Sequence, residues 1–318
     1  MKLAGVLWAA LVFSAAGIVA NTAQAAERAV SQGIAGEDKE YEALIAKEAA
    51  AQAEVESWRK ENRAAVAKGA GVAPAELEQR ITERLNGIEQ AYRDYLGRHP
   101  NEARARLAYG CFLNDRQDEA GAQAQWERVL ALDPANADAY NNLAGRYCES
   151  GPIKKAFEFF SRSIELKPTE AAYYHNFADA LYVLRSHAMT NYGLNEQQVF
   201  SKALLLYSNA ARLDPHNSMF AWDFAQTYYA LKPLPYQDAL RAWTNALASA
   251  DKEADREAIY LHLARVKMLA GWLNEARAQL NGVTNQDAAG PKAALLRAME
   301  ERQSPGSAGK ENQGAKSR

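Results

Sequence analysis

Three prolines set 34 residues apart limit what this chain can fold into. Pro100, Pro134 and Pro168 each close a stretch in which apolar residues recur at helical spacing. Proline lacks a backbone N–H and its ring clashes with the preceding helical turn, so it stops a helix at a fixed length. A recurring stop predicts a chain of repeated helical units, each burying apolar surface against the next.

Small and bulky residues recur at fixed offsets within this period. The first helix of successive repeats carries one small residue: Gly110, Ala144, Ala178, Ala225 and Ala264. The second helix carries an alanine: Ala122, Ala156, Ala203, Ala239 and Ala276. Four positions later comes a bulky residue: Trp126, Phe160, Tyr207, Trp243 and Leu280. Two antiparallel helices approach closely only where a small side chain faces the partner backbone, and a large side chain fills the groove beside it.

The columns and their period resemble the tetratricopeptide repeat (TPR), a helix-turn-helix unit. The resemblance covers about residues 103–283, five repeats, and implies an all-α, right-handed superhelical solenoid of antiparallel helix pairs. It also implies a concave surface lined by the first helix of each repeat. The sequence departs from the pattern in several places, and Arg106 and Ala221 replace a residue that is large in the other repeats. The third repeat has 13 extra residues between Ala178 and Ala203, and the last two repeats lack the terminal proline.

The start of the chain predicts export. Lys2 is followed by an apolar run over residues 3–20 and by Ala23-Gln24-Ala25, which together indicate a signal peptide over residues 1–25. The alternative is an uncleaved membrane anchor, because the run approaches spanning length. We expect an exported protein of the periplasm or cell envelope of a bacterium, with no membrane span after the signal is cleaved.

The segments around the array have their own expected organisation. We expect a charged N-terminal helix and turn over residues 26–74 and a degenerate repeat helix over 75–102. The TPR array then occupies 103–288 with an insertion near 184–197, followed by a capping helix over 289–303 and a disordered tail over 304–318. The charged N-terminal helix is interpreted as a cap on the open end of the array. The alternative is a partner-binding or coiled-coil helix.

Composition and motifs argue against several function classes. The net charge of −2 lacks the basic excess typical of nucleic-acid binders. The sequence has no G-x-S-x-G, H-E-x-x-H or C-x-x-C motif and no phosphate-binding glycine loop. None of the five histidines pairs with another histidine or a cysteine at metal-ligand spacing. We therefore expect no enzymatic activity, no cofactor and no metal site.

The resemblance implies that the candidate partner-binding residues lie at exposed positions of the first helices. They are Asn114, Asp115, Asp138, Asn141, Glu149, His175, Asp179, Tyr182, Trp222 and Tyr229. The early members are mostly acidic or polar and the late ones aromatic. This order predicts a groove for a protein or peptide segment, with basic residues facing the early repeats and apolar anchors facing the late ones. Each residue has a simpler interpretation, as solvated surface or inter-repeat packing.

The sequence leaves other functions, and the roles of the insertion and of the two cysteines, open. One alternative is a glycan-binding or enzymatic envelope protein that uses the aromatic late repeats, and another is a self-assembling scaffold. The insertion is either a tolerated surface loop or a specificity loop with Tyr192 and His187 as contacts. Cys111 and Cys148 lie in successive first helices, which makes a disulfide possible in an exported protein. The alternative is that both are small, half-buried hydrophobic residues.

Overall fold

The structure, a computed structural model, describes residues 39–303. The predicted signal peptide over residues 1–25 and the predicted tail over 304–318 lie outside the described residues. Between residues 39 and 303 the secondary structure is helical, with no strand. No helix in this range is both long and apolar enough to cross a membrane. The chain divides into two compact units, Met1–Ser150 and Gly151–Arg318, which are described in turn as unit 1 and unit 2.

Unit 1 contains five described helices. They are α1 (Lys39–Val66), α2 (Pro74–Arg98), α3 (Ala103–Asp115), α4 (Glu119–Leu132) and α5 (Ala137–Ser150). Pro74 opens α2, where its missing N–H costs no hydrogen bond. The side chain of Asp118 caps α4 by accepting from the N–H of Gly121 at 3.0 Å. The starts of α2 and α4 therefore follow from residue types that favour the first turn of a helix.

Helices α1 and α2 form an antiparallel pair. Glu40, at the start of α1, pairs with Arg98 at the end of α2 (3.1 Å), and Glu54 pairs with Arg84 midway (2.6 Å). At the other end, the N–H of Val72 donates to the Asn62 side chain at 2.8 Å. Between the helices lies an apolar seam with its side chains fully or almost fully buried: Leu44, Ala51, Val55, Ile81, Ile88 and Tyr92. The charged N-terminal helix is thus one member of a helix pair.

The packing of α3 against α4 explains why the first helix of this repeat has a small residue, Gly110, facing its partner. The indole ring of Trp126 in α4 lies against the backbone of α3 at Gly110. A β-carbon at position 110 would stand 2.6 Å from Trp126 Cδ1, too close for any other residue without movement. Ala122, one turn before Trp126, is fully buried in the same contact. Small and bulky positions therefore pair as the repeat pattern predicts.

Unit 2 contains nine described α-helices and two short 3₁₀ segments. The helices are α6 (Ile153–Leu166), α7 (Ala171–Val183), α8 (Arg185–Tyr192), α9 (Glu196–Leu213), α10 (Ser218–Thr227), α11 (Tyr236–Ala248), α12 (Glu253–Leu269), α13 (Leu273–Leu280) and α14 (Ala289–Gln303). The 3₁₀ segments are Tyr228–Ala230 and Gln286–Ala288. The boundary between the units falls between α5 and α6, within the second predicted repeat.

The repeat columns of unit 2 are all buried. The small residues of both helices are fully buried: Ala156, Ala178, Ala203, Ala225, Ala239, Ala264 and Ala276. The bulky residues are at most 4% exposed: Phe160, Tyr207, Trp243 and Leu280. Helices α6 and α9 end at Leu166 and Leu213, two residues before a proline. These positions form the core because they are the ones at which adjacent helices meet.

The insertion in the third repeat adds helix α8 between the two helices of the pair. Gly193 ends α8 in the left-handed region, with φ of 64°, a conformation that glycine adopts without strain. Asn195 and Gln198 then form a reciprocal capping box that starts α9. Tyr192 stacks on Phe157 of α6 with ring centroids 5.8 Å apart, whereas His187 is exposed. The insertion is therefore an ordered helical element anchored by Tyr192.

Helix α14 covers the last helix pair. Met299 of α14 is fully buried in a cluster with Ala264, Met268 and Leu280 from α12 and α13. The guanidinium of Arg302 donates to the carbonyl oxygen of Met268 at 2.7 Å. An apolar face that a further repeat would otherwise bury is occupied by this helix.

Candidate partner-binding surfaces

The five candidate residues of unit 1 lie on two consecutive first helices. Asn114 and Asp115 close α3, where Asn114 is half-buried and Asp115 is exposed. Asp138 is half-buried in the first turn of α5, and Glu149 is exposed in its last turn. Asn141 is only 5% exposed, so it belongs to the interior of the unit rather than to an open surface.

Acidic side chains from three helices of unit 1 influence the pKa of one thiol, that of Cys111. Burial, followed by the negative charges of Asp115, Asp138 and Glu48, raises the pKa of the Cys111 thiol to about 12. We call Glu48, Asp115 and Asp138 the acidic cluster of unit 1. Glu48 belongs to α1, whereas Asp115 and Asp138 belong to the first helices α3 and α5.

Glu48 is the member of the acidic cluster that sequence reasoning missed. Burial, opposed by a hydrogen bond from the Tyr92 hydroxyl and reinforced by Asp115, raises the pKa of its carboxyl to about 7. The Gln52 amide also donates to Glu48, at 2.9 Å. One sequence signal could have identified Glu48. It lies seven residues, or two helical turns, after the buried Tyr41, and therefore on the same face of α1 as the sparse apolar stripe.

Glu149 is engaged in an ion network rather than standing alone. It pairs with the buried guanidinium of Arg146, which also pairs with Glu119 of α4 at 2.6 Å and donates to the Ser150 hydroxyl at 3.1 Å. Removing either acid would leave part of a buried charge uncompensated. Glu149 therefore has a structural role in unit 1.

The predicted Cys111–Cys148 disulfide is not formed in the structure, where both residues are free thiols. The Asn142 amide donates to Cys111 Sγ at 3.4 Å, so Cys111 faces the part of α5 near residue 142. Cys148 is six residues further along the same helix, about 9 Å at the α-helical rise. A disulfide needs Cα atoms about 4.4–6.8 Å apart, so the stagger of α3 against α5 is wrong for a bridge.

His175, Asp179 and Asp223, here called the His175 cluster, are brought together in unit 2. His175 and Asp179 are one turn apart on α7, and Asp223 lies on α10. The imidazole Nε2 is 2.9 Å from Asp223 Oδ2, and Nδ1 is 3.4 Å from Asp179 Oδ2. The Tyr207 hydroxyl donates to the other oxygen of Asp179. The cluster therefore joins two first helices through one buried imidazole.

The aromatic candidates of unit 2 pack against neighbouring helices. Tyr182 lies 5.2 Å from Phe200 between ring centroids. Trp222 meets the ring of Trp243 edge-on at 5.0 Å, and the Tyr229 hydroxyl donates to the carbonyl oxygen of His262 at 3.3 Å. All three candidates are half-buried. Much of their aromatic surface is thus used within the unit.

His262 completes this aromatic packing. Its imidazole stacks on Trp243 with centroids 4.1 Å apart and planes 6° from parallel. Burial, and then the charge of Arg265, lowers the pKa of His262 to about 3, so the imidazole is neutral. The Arg265 guanidinium lies 4.6 Å from the centroid of Tyr229. A neutral histidine here acts as an aromatic ring in the core.

Among residues 39–303, the His175 cluster is the one set of three acidic, histidine or cysteine side chains whose ligand atoms lie within 4.8 Å of one another. The spacing of histidines and cysteines alone predicts no metal site. The i, i+4 spacing of His175 and Asp179 was a usable signal. No sequence spacing indicates Asp223, because this residue reaches His175 and Asp179 only through the packing of α10 on the third repeat.

Comparison with known proteins gives the fold. No family model matches the sequence, and no curated protein matches it significantly. Among solved structures, YrrB, a TPR protein described as having an unusual peptide-binding site, is 13% identical with a TM-score of 0.52, over 66% of this chain and 99% of that one.

Two further solved structures have lower TM-scores. PilF of Pseudomonas aeruginosa is 16% identical with a TM-score of 0.49, over 80% and 98% of the two chains. MamA is 16% identical with a TM-score of 0.45, over 63% and 93%. The likeness to YrrB, together with the buried columns, confirms the all-α repeat fold predicted from the sequence. This chain therefore has the helical-repeat fold of tetratricopeptide-repeat proteins.

Proposed function

We propose that this protein is a scaffold that holds a segment of a partner protein on the surface formed by its first helices. The observation that carries the proposal is the acidic cluster of unit 1. Glu48, Asp115 and Asp138 come from three different helices and act on the same thiol. The carboxylates of Asp115 and Asp138, on two successive first helices, create a local negative field that favours a basic partner segment.

The fold supports the same proposal. Helical repeat arrays present extended surfaces along successive first helices, and many bind peptides or proteins there. YrrB, which has this fold, is described as having a peptide-binding site. For the present chain, we infer a protein or peptide partner with lysine or arginine residues opposite the acidic cluster, and no catalytic role.

The aromatic alternative has less support. A glycan binder needs tryptophan or tyrosine faces open to a sugar, but Trp222 and Tyr229 are half-buried against Trp243 and His262. The apolar anchors expected in the late repeats are therefore assigned mainly to inter-helix packing. The partner segment is proposed to depend chiefly on charge.

Affinity capture from an envelope extract, with matched variants, tests the proposal. The Asp115→Asn, Asp138→Asn double variant should lose the partner that the unaltered protein retains, and rising salt should weaken that binding. The control is Glu76→Gln, Glu78→Gln, which removes two exposed carboxylates from α2. Equal recovery by both double variants would refute the acidic surface as the binding site.

We further propose that the protein is exported and cleaved after Ala25. The support is the sequence alone, with its charged start, apolar run and small-residue site. N-terminal sequencing of protein recovered from the periplasm should begin at Ala26. A membrane-bound product that begins at Met1 would favour the anchor instead.

A further inference from the structure

The His175 cluster has the donor atoms of a metal site. An imidazole nitrogen and two carboxylate oxygens lie within 4.8 Å of one another in unit 2. They come from two helices, α7 and α10, so the backbone that carries them is fixed by repeat packing. Sites built on helices hold their ligands more accurately than sites on loops.

The spacing of these atoms suits one small divalent ion. Zn²⁺ binds nitrogen and carboxylate oxygen at about 2.0–2.2 Å, so neighbouring ligands of one tetrahedral ion stand about 3.3–3.6 Å apart. His175 Nε2 and Asp223 Oδ2 are already 2.9 Å apart. Asp179 Oδ2 lies 3.4 Å from Nδ1, the other ring nitrogen, and one donor atom of each of the three residues lies within 4.8 Å of the others. Rotation of the Asp179 side chain toward Nε2 would bring its carboxylate to the ion that Nε2 and Asp223 bind.

The surrounding groups hold the donors in place. The Tyr207 hydroxyl donates to Asp179 Oδ1, which leaves lone pairs on both oxygens of that carboxylate. The His175 ring packs against Phe220, with centroids 4.7 Å apart, and meets the Tyr207 ring at 5.5 Å. Metal-binding carboxylates and imidazoles in proteins usually have such outer partners, which fix their orientation.

The cluster also offers a route for an ion. The His175 side chain is 6% exposed, whereas the side chains of Asp179 and Asp223 are 39% and 30% exposed. An ion can therefore reach the carboxylates from solvent and engage the buried imidazole behind them. Water, or a side chain of a partner, would fill the remaining coordination positions.

We propose that His175, Asp179 and Asp223 form a binding site for one divalent transition-metal ion of the Zn²⁺ class. The imidazole donor favours Zn²⁺, Co²⁺ or Ni²⁺ over Mg²⁺ and Ca²⁺, which prefer oxygen ligands alone. The site belongs to unit 2 and does not depend on the acidic cluster of unit 1. Its test needs no partner protein, so its failure and the failure of the proposed function are separate results.

The experiment is a metal titration of protein purified without a polyhistidine tag and stripped with a chelator. Isothermal calorimetry with Zn²⁺ should give one site per chain, and Co²⁺ should develop a visible absorption spectrum when it binds. Asp223→Asn and His175→Gln should each weaken binding by about tenfold or more, as loss of a ligand or its support does. Asp255→Asn, an exposed acid on α12, should leave binding unchanged.

Circular dichroism establishes whether each variant is folded. Because His175 is buried and its replacement could disturb the fold, the half-buried Asp223 carries the decisive comparison. A folded Asp223→Asn variant that binds Zn²⁺ as tightly as the unaltered protein would overturn the proposal. So would the absence of saturable Zn²⁺ binding in the unaltered protein, in which case the cluster is a protonated ion-pair network.

Discussion

The indole of Trp126 packs on the backbone at Gly110, leaving no room for a β-carbon there. In most helix interiors, replacing glycine by alanine stabilises the helix by about 1 kcal/mol. At this position the gain is opposed by overpacking, because the indole must move and its N–H would lose the Leu107 carbonyl oxygen, 3.3 Å away. Glycine is therefore required at position 110, whereas in most helix interiors alanine can replace it.

Gly110→Ala should lower the free energy of unfolding by about 1–3 kcal/mol, the usual cost of overpacking. The matched control is Gly145→Ala, 35 residues later in α5, where a β-carbon would meet nothing within 4 Å. That variant should be neutral or more stable by up to about 1 kcal/mol. Urea denaturation measures both, and changes of the same sign and size would contradict this packing argument.

Stability should depend on pH through Glu48. Its pKa in the folded chain, about 7, lies above the ordinary value, so the folded state holds a proton that the unfolded state releases. The free energy of unfolding should therefore fall as pH rises from about 4.5 to about 7, by up to about 3 kcal/mol. Glu48→Gln should flatten this slope in urea denaturation followed across the range.

The control for that series is Glu42→Gln, an exposed glutamate on the same helix. Its pH profile should keep the slope of the unaltered protein. If Glu48→Gln and the unaltered protein give parallel profiles, the buried carboxyl is not the titrating group.

The two thiols should be free and slow to react. Burial raises the pKa of both cysteines to about 12, assisted by Asp115 at Cys111 and by Glu149 at Cys148. Because the thiolate is the reactive form, an aromatic disulfide reagent should react far more slowly with the native than with the unfolded protein. Thiol counting after unfolding without reductant should find two free thiols. A count of zero would show that Cys111 and Cys148 form a disulfide.

Glu257 should hold the connection between α13 and α14. Its carboxylate accepts from the N–H of Asn285 at 2.7 Å, and from the N–H and hydroxyl of Thr284 at 3.0 and 2.8 Å. These bonds, led by that from Asn285, lower the pKa of Glu257. Their stabilising effect is therefore present above its ordinary pKa and lost as pH falls through the lowered value.

Glu257→Gln should speed hydrogen exchange at the Thr284 and Asn285 amides, because an amide group accepts less strongly than a carboxylate. The exposed Glu275 on α13 provides the comparison, and Glu275→Gln should leave those rates alone. Unaltered exchange in both variants would show that the loop is held by other contacts.

The repeat positions were predictable because they are defined by local spacing. Ala122 and Trp126 lie on one face of one helix, and the same offset recurs five times along the chain. The His175 cluster was only half predictable, since Asp223 joins it from another repeat. The repeat spacing left the Cys111–Cys148 bridge open, because the stagger of α3 against α5, which places Cys111 beside Asn142, is not visible in the spacing.

Aromatic residues posed a different problem. A tryptophan at an inner-facing position can contact a ligand or fill a gap between helices, and residue type does not separate the two. Trp222 is turned to Trp243 because the neutral His262 completes a ring stack beneath it. That stack depends on the burial of an imidazole, which is a property of the assembled helices.

Helix α14 has a consequence for growth of the array. With Met299 seated between α12 and α13, a second copy of the chain cannot add its own helix pair there without first displacing this side chain. Stacking of another helix pair at that position would have to compete with this intramolecular contact, which does not depend on the protein concentration.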